Sequence, residues 1–219
     1  MSSNFFITGT DTEIGKTYVS ILLLKHFIAK GEKAVVMKPI ASVDEEPSED
    51  VEAICEAMTS CGNDVTEELL SDIAPITFPK PFAPYALKDY TCENLQNKLL
   101  NSYKNLQDKF TIILVEGIGG TLVPIEKDFC AADIATLLEI PVIVVAEDKL
   151  GVINHTLLTF ESLTVRGLNV LGFIMNRYQT TTEPNLRTNA EIIEELSGFP
   201  CVGKVVEGEL KDCTLLPLS

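Results

Sequence analysis

Hydrophobic and polar positions along the chain follow two periods, and the switches between them mark an ordered series of elements. NFFIT (4–8) is a short apolar run of strand type. Over residues 16–30 the apolar positions recur at helical spacing, with Val19, Leu22, Leu23, His26 and Phe27 on the predicted inner face and Gly31 just past the helix end. AVVMK (34–38) reads as a second strand, closed by Pro39. DEEPSED (44–50) is a polar loop, and 51–59 has helical spacing. IAPITFPKPFAPYALKDY (73–90) carries four prolines and is the least regular stretch; 93–107 is helical again. TIILVEG (111–117), PVIVVAE (141–147) and LNVLGFIMN (168–176) are almost wholly apolar, the pattern of strands in a parallel sheet covered on both faces. Helical patterns at 130–139 and 151–166 separate them, and a helix near 188–197 precedes a weaker strand, CVGKVV (201–206).

Strand and helix alternate without internal repeat or low-complexity tract. The expectation is one α/β domain over residues 1–219, with a mainly parallel central sheet, right-handed crossovers and helices on both faces. In such sheets ligands sit at the carboxyl ends of the strands. That rule gathers residues far apart in sequence: 8–17, 38–42, 116–120, 147–151 and Asn176.

TGTDTEIGKT (8–17) follows a strand and opens a helix, the context of a phosphate-binding P-loop. The usual spacing is G-x4-G-K-[ST]; here five residues separate Gly9 from Gly15, one more than usual. The helix start offers unsatisfied N–H donors to phosphate. Lys16 is placed to reach the outer phosphates and Thr17 to bind Mg²⁺. The acids Asp11 and Glu13 inside an anion-binding loop need an explanation. Glu116 ends an apolar strand in VEGIGG, where a divalent cation gives a buried carboxylate a partner; the plainer reading is a satisfied Glu at a strand end. Gly117, Gly119 and Gly120 let the backbone approach a nucleotide closely. Lys38 ends the second strand, so two lysines are expected to converge on one pocket, which suits charge neutralisation in phosphoryl transfer; the plainer reading is an ordinary Lys before a loop. Asp50 cannot be told by composition from the other acids of its loop. His26 reads as structural, and His155, with no partner in sequence, as a packing or surface residue.

Composition narrows the field. The 219 residues carry a formal net charge of −15. An acidic surface repels nucleic acid and anionic membrane, which removes both from the expected partners. MSSNFFITGT has no basic n-region and no long apolar run, and no stretch approaches the ~18 apolar residues of a membrane helix. The six cysteines form no CxxC pair and only two His are present, which argues against zinc and for reduced packing thiols in the cytosol.

TGTDTEIGKT, MKPIAS, LVEGIGG and KLGVINHT together resemble the motifs of the dethiobiotin synthetases, ATP-dependent cyclo-ligases of the three-layer P-loop NTPase superfamily, in order and approximate spacing over most of 4–176. The longer loop is that family's own form. The resemblance implies MgATP, CO₂ and 7,8-diaminopelargonate as reactants, closure of a ureido ring through a carbamate and a carbamic–phosphoric anhydride, and a cytoplasmic homodimer. It implies catalytic roles for Lys38, Lys16, Glu13 and Thr12. It implies ATP contacts from Glu13, Ile14, Gly15, Lys16, Thr17, Tyr18, Asp50, Glu116, Gly117, Ile118, Gly119, Asn176 and Arg177, with Asn176 reading the purine. Thr17, Asp50 and Glu116 become the Mg²⁺ ligands. Ser42 contacts the substrate, and Gly151 and Asn154 hold its carboxylate from the partner subunit. Where the family often carries a Pro-containing segment against the adenine, this chain reads GKVVEGEL (203–210), with Val206 at the expected Pro. Two alternatives fit less well. A partitioning or site-selection ATPase uses KGGxGKT, whose signature Lys falls at Asp11. A cobyrinate-type amide ligase needs a glutaminase domain for which 219 residues leave no room.

Overall fold

The long apolar runs meet in one twisted sheet. A computed structural model of the chain describes residues 3–42, 48–80, 82–87, 92–180 and 186–216. In chain order its elements are β1 (Ser3–Gly9), α1 (Lys16–Ala29), β2 (Ala34–Met37), β3 (Ile40–Ser42), α2 (Glu49–Ser60), α3 (Glu67–Ile73), β4 (Ile76–Phe78), a 3-10 turn (Pro84–Ala86), α4 (Leu95–Gln107), β5 (Ile112–Glu116), β6 (Pro124–Glu126), β7 (Phe129–Cys130), α5 (Asp133–Leu138), β8 (Val142–Glu147), α6 (Val152–Val165), β9 (Val170–Asn176), α7 (Asn189–Ser197), β10 (Cys201–Val206) and β11 (Glu209–Lys211). The main sheet has the order β11-β10-β9-β8-β1-β5-β2. Its neighbours run parallel except for the β10–β11 hairpin at one edge. The pairs β3–β4 and β6–β7 form separate two-stranded ribbons.

Every residue of β5 and of β8 is buried. Successive side chains of a strand point to opposite faces, so both faces of the sheet centre are covered, as the unbroken apolar runs predict. β1 lies between β5 and β8, with Ile7 opposite both Glu116 and Ile143. That register brings the loop after β1, the end of β5 and the end of β8 to one edge. β2 flanks β5 with Met37 opposite Val115, so Lys38 emerges at the same edge. Among the described residues no helix is long and apolar enough to cross a membrane.

The structure departs from the sequence reading in several places. The buried stripe of α1 is Lys16, Val19, Ser20, Leu23, Leu24 and Phe27. Leu22 and His26 fall on its flank, because the spacing of three and four runs from Lys16 through Phe27. Helix α2 begins at Glu49 rather than 51, which puts Asp50 in its first turn. Helix α3 and the strands β3, β4, β6 and β11 lie where the sequence predicts no element, since three to seven residues are too few to display a period, and β7 takes Cys130 from the helical pattern at 130–139, whose helix α5 begins only at Asp133. Residues 44–47 of the polar loop, and 81 and 88–90 of the proline-rich stretch, are outside the described residues.

Two local features hold the sheet together. Asn4 is buried in β1; its Nδ2 donates to the Tyr103 hydroxyl at 2.5 Å and its Oδ1 accepts from Ile113 N at 2.9 Å, tying β1 to α4 and β5. Gly172 sits where the β8–β9 register shifts, at φ 143°. A Cβ there would stand 2.2 Å from the Pro200 carbonyl oxygen and 2.9 Å from a Val202 methyl. Gly172→Ala combines backbone strain with overpacking and is expected to lower unfolding free energy by roughly 3 kcal/mol. Chemical denaturation measures it, and a loss below about 1 kcal/mol would contradict the required close approach of β9 to the chain before β10.

Candidate active site

The loop between β1 and α1 supplies the first half of the site. Gly15 precedes α1 at φ 87°, no side chain caps the helix, and its first turn carries no acidic residue. The first N–H groups of α1 therefore meet solvent without competition, a ready anion site. The acid at Asp11 works on the loop itself: its Oδ1 accepts from Thr12 N at 2.7 Å, while its backbone carbonyl accepts from Lys16 Nζ at 2.8 Å. Glu13 is exposed and holds φ at 57°, left-handed for a non-glycine residue.

The second half comes from β2, α2 and β5. Lys38 Nζ donates to Glu116 Oε1 at 2.5 Å and to Asp50 Oδ2 at 2.7 Å. Thr17 Oγ1 lies 2.6 Å from the same Glu116 oxygen and 2.8 Å from Asp50 Oδ1. Burial works to lower the Lys38 pKa, but Glu116 and Asp50 outweigh it and hold the ammonium above its usual value. Asp50 mirrors this: burial pushes it up, while Lys38 and Thr17 prevail and pull it down. Lys16 touches neither carboxylate. Burial, then repulsion from Lys38, lowers its pKa to about 8.

These side chains line one cleft of about 440 Å³ with Thr12, Glu13, Gly15, Tyr18, Ser42, Ile118 and Gly119. A second cleft of about 500 Å³ shares Gly15 and Tyr18 with the first and adds Asn176, Arg177, Tyr178, Val205, Glu207 and Gly208. Here lie residues that motif reading did not single out. Glu207 and Gly208 form the two-residue turn of the β10–β11 hairpin, both at positive φ. That turn presents the Gly208 carbonyl to the Tyr18 hydroxyl at 2.9 Å. Arg177, at φ 52°, is fixed by an ion pair to buried Glu147. Val206, which stands where the family resemblance leads one to expect Pro, does not line the cleft, but Val205, Glu207 and Gly208 do. A third cleft of about 510 Å³ opens from Thr12 past Leu122, Val123, Pro124, His155 and Leu158.

Most of the residues marked in sequence therefore come together. Asp50 rather than Glu49 faces the lysine; Asp44 is outside the described residues. Ile14 is buried beneath the loop and Gly117 against Phe6, so both can meet a ligand through backbone alone. Gly151 and Asn154 are exposed at the start of α6 and line none of these three clefts.

The donor set fits a hard divalent cation. Two carboxylates and one hydroxyl meet, all oxygen. A single hydroxyl proton cannot serve both acids that Thr17 touches, and buried Glu116 Oε2 has no hydrogen-bond partner. Among the described residues no three His, Cys, Asp or Glu form a cage, so a cation here would complete its shell with ligand oxygens or water.

A glycine-led phosphate loop between a central parallel strand and its helix, faced by a lysine and carboxylates from neighbouring strand ends, defines a P-loop NTPase. Solved structures agree on the fold: the septum site-determining protein MinD of Pyrococcus horikoshii with Mg-ADP superposes with a TM-score of 0.56 at 16% identity, over 94% of this chain and 82% of that one. The MinC:MinD complex of Aquifex aeolicus gives 0.59 at 15%, over 94% and 82%. Residues 3–210 match a family model described as an AAA domain. The ATP-dependent dethiobiotin synthetase of Aquifex aeolicus is 36% identical, over 88% of this chain and 84% of that protein. That of Bacillus subtilis is 34% identical, over 91% and 85%. The chain belongs to the dethiobiotin synthetase family.

Removing Lys38 leaves Glu116 buried without the ammonium. Lys38→Met is expected to destabilise the ligand-free protein by about 3 kcal/mol, and Lys38→Met/Glu116→Gln to recover most of that loss. Equal denaturation midpoints for the single and double variants would show that the pair is not what holds this carboxylate.

Proposed function

We propose that this protein is an ATP-dependent dethiobiotin synthetase, a ligase that closes the ureido ring from 7,8-diaminopelargonate and CO₂ in biotin synthesis. The observation that carries the reading is the meeting of Lys38 with the P-loop residue Thr17 on the same two carboxylates, in a chain of this family. A substrate amine takes up CO₂ as a carbamate. A carbamate oxygen attacks the γ-phosphorus of ATP and ADP leaves. The second amine then attacks the carbonyl of the carbamic–phosphoric anhydride, expelling phosphate and losing its proton as the ring closes.

In this reading the first cleft takes the triphosphate and the reacting end of the substrate. The free N–H groups of α1 and Lys16 bind phosphate, and Lys38 neutralises the charge that grows on transfer. Thr17, Asp50 and Glu116 would hold Mg²⁺, which neutralises phosphate charge when bound. Ser42 and Thr12 border the substrate, and exposed Glu13 attracts and orients its cationic amine. Tyr18, Asn176 and Arg177 border the base. Ile14, Gly117, Ile118 and Gly119 bring backbone to the nucleotide.

The third cleft, with apolar walls leading away from Thr12, suits the alkyl chain of the substrate. Its carboxylate would meet Gly151 and Asn154 of a second copy. Gly151, at φ 92°, starts α6 without a side-chain cap or an acid in the first turn, which favours an anion. Leu122 and Leu158 on this cleft and Leu150 beside Gly151 are exposed, as an interface between copies would require. A single hydrophobic cluster around one sheet supports one domain over 1–219. Six unpaired cysteines accord with work in the cytosol.

Incubation with MgATP, bicarbonate and 7,8-diaminopelargonate should yield dethiobiotin, read by mass spectrometry, in a reaction that needs all three. Lys38→Ala is expected to lower turnover by at least ~100-fold, and Glu13→Gln to cost turnover more than ATP affinity. No product from folded, ATP-binding protein would reject the assignment; unchanged turnover in Glu13→Gln would remove that residue from the mechanism.

The shared site has its own test. Lys38→Ala and Asn154→Ala lie in different halves of it, so an equimolar mixture, after subunit exchange, should regain about a quarter of wild-type activity through mixed dimers with one intact site. A mixture no more active than its components, with exchange demonstrated, would place Asn154 outside the partner's site.

A further inference from the structure

Asn176 ends β9 and is 3% exposed. Its Nδ2 donates to the carbonyl oxygen of Ile14 at 2.8 Å, across 162 residues of chain, and its Oδ1 accepts from Arg177 N at 2.9 Å. The amide is thus fixed at both ends before any nucleotide arrives. The fit is tight: a Cβ on Gly15 would stand 2.3 Å from Nδ2. The glycine therefore serves two needs, a left-handed φ and room for this side chain.

The contacted carbonyl belongs to the Ile14–Gly15 peptide. In a trans peptide the C=O and the N–H point in opposite directions. With the Ile14 oxygen held against Asn176, the Gly15 N–H is turned the other way, away from Asn176, and is left to meet an anion. A free loop could rotate this peptide and offer its oxygen, which would repel phosphate.

We propose that Asn176 is a positioning residue for phosphate binding, fixing the Ile14–Gly15 peptide so that the P-loop presents a donor. This rests on the reading of the first cleft as the triphosphate site, and it assigns Asn176 a role separate from any contact with the base. Asn176 then governs affinity for ligands that have no base at all.

Inorganic tripolyphosphate is the discriminating probe. By calorimetry, Asn176→Ala is expected to lose about tenfold in tripolyphosphate affinity, with ATP weakened at least as much. Unchanged tripolyphosphate affinity in the variant, whatever happens to ATP, would overturn the proposal and leave Asn176 a base contact or a structural residue. Failure of the wild-type protein to bind either ligand would overturn the triphosphate site itself, a separate outcome. Should the alanine variant not fold, Asn176→Asp keeps the shape and the acceptor while removing the donor. In that ligand-free variant, backbone amides of 10–18 should exchange with deuterium several-fold faster than in wild type, with the exchange of β5 and β8 unaltered. Equal exchange of the loop in both proteins would refute the tether.

Discussion

Glu116 is a carboxylate with no exposure to solvent at the end of a central strand, and the neutralisation of its charge organises the site around it. A buried acid without a partner is costly. Two separate pieces of chain answer it, Lys38 from the end of β2 and Thr17 from the start of α1, and a second carboxylate, Asp50 from α2, shares the same lysine and hydroxyl. With Lys16 close by, two ammonium groups face two carboxylates. On a protein of net charge −15, this local balance keeps the pocket open to a polyanion that the rest of the surface would repel. Glu116 Oε2, buried without a hydrogen-bond partner, leaves the balance short of a cation rather than of an anion.

The acids inside the loop fit the same scheme once their directions are known. Asp11 turns its carboxylate onto the loop backbone and lends its carbonyl to Lys16. It therefore restrains both the loop and the lysine. Glu13 is exposed at a left-handed backbone position and borders the first cleft. The septum-site and partitioning ATPases share the sheet and the loop, but at 11–18% identity they speak only for the fold.

The parts of the fold that could be read from sequence are those buried on both sides. β1, β5, β8 and β9 announce themselves because nearly every position in them is apolar. The same burial makes Lys38, Glu116 and Asn176 conspicuous as polar residues at the ends of apolar runs. Short elements carry no such signal: β3 and β11 have three residues each, and α3 has seven. Asp50 was one acid among several until α2 was seen to begin at Glu49 and to aim its first turn at Lys38. The second cleft was harder still. Val205, Glu207 and Gly208 line it because a two-residue hairpin turn folds back to Tyr18, and that contact spans 190 residues. Only the Glu-Gly pair, suited to a turn with two positive φ values, marks the place in sequence.

Gly15 and Tyr18 line both the first and the second cleft, so the two are joined through the first turn of α1. Whatever occupies one cleft bears on the other through that turn. From the side of the second cleft, Tyr18 is held by Gly208 and the Ile14–Gly15 peptide by Asn176; from the opposite side, Thr17 is held by Asp50 and Glu116. Four consecutive residues, Gly15 to Tyr18, are thus fixed from both flanks by groups distant in sequence. A loop rich in glycine would lose much conformational entropy on binding phosphate. Here much of that ordering is already in place before a ligand arrives, so more of the binding energy is left for the reacting groups.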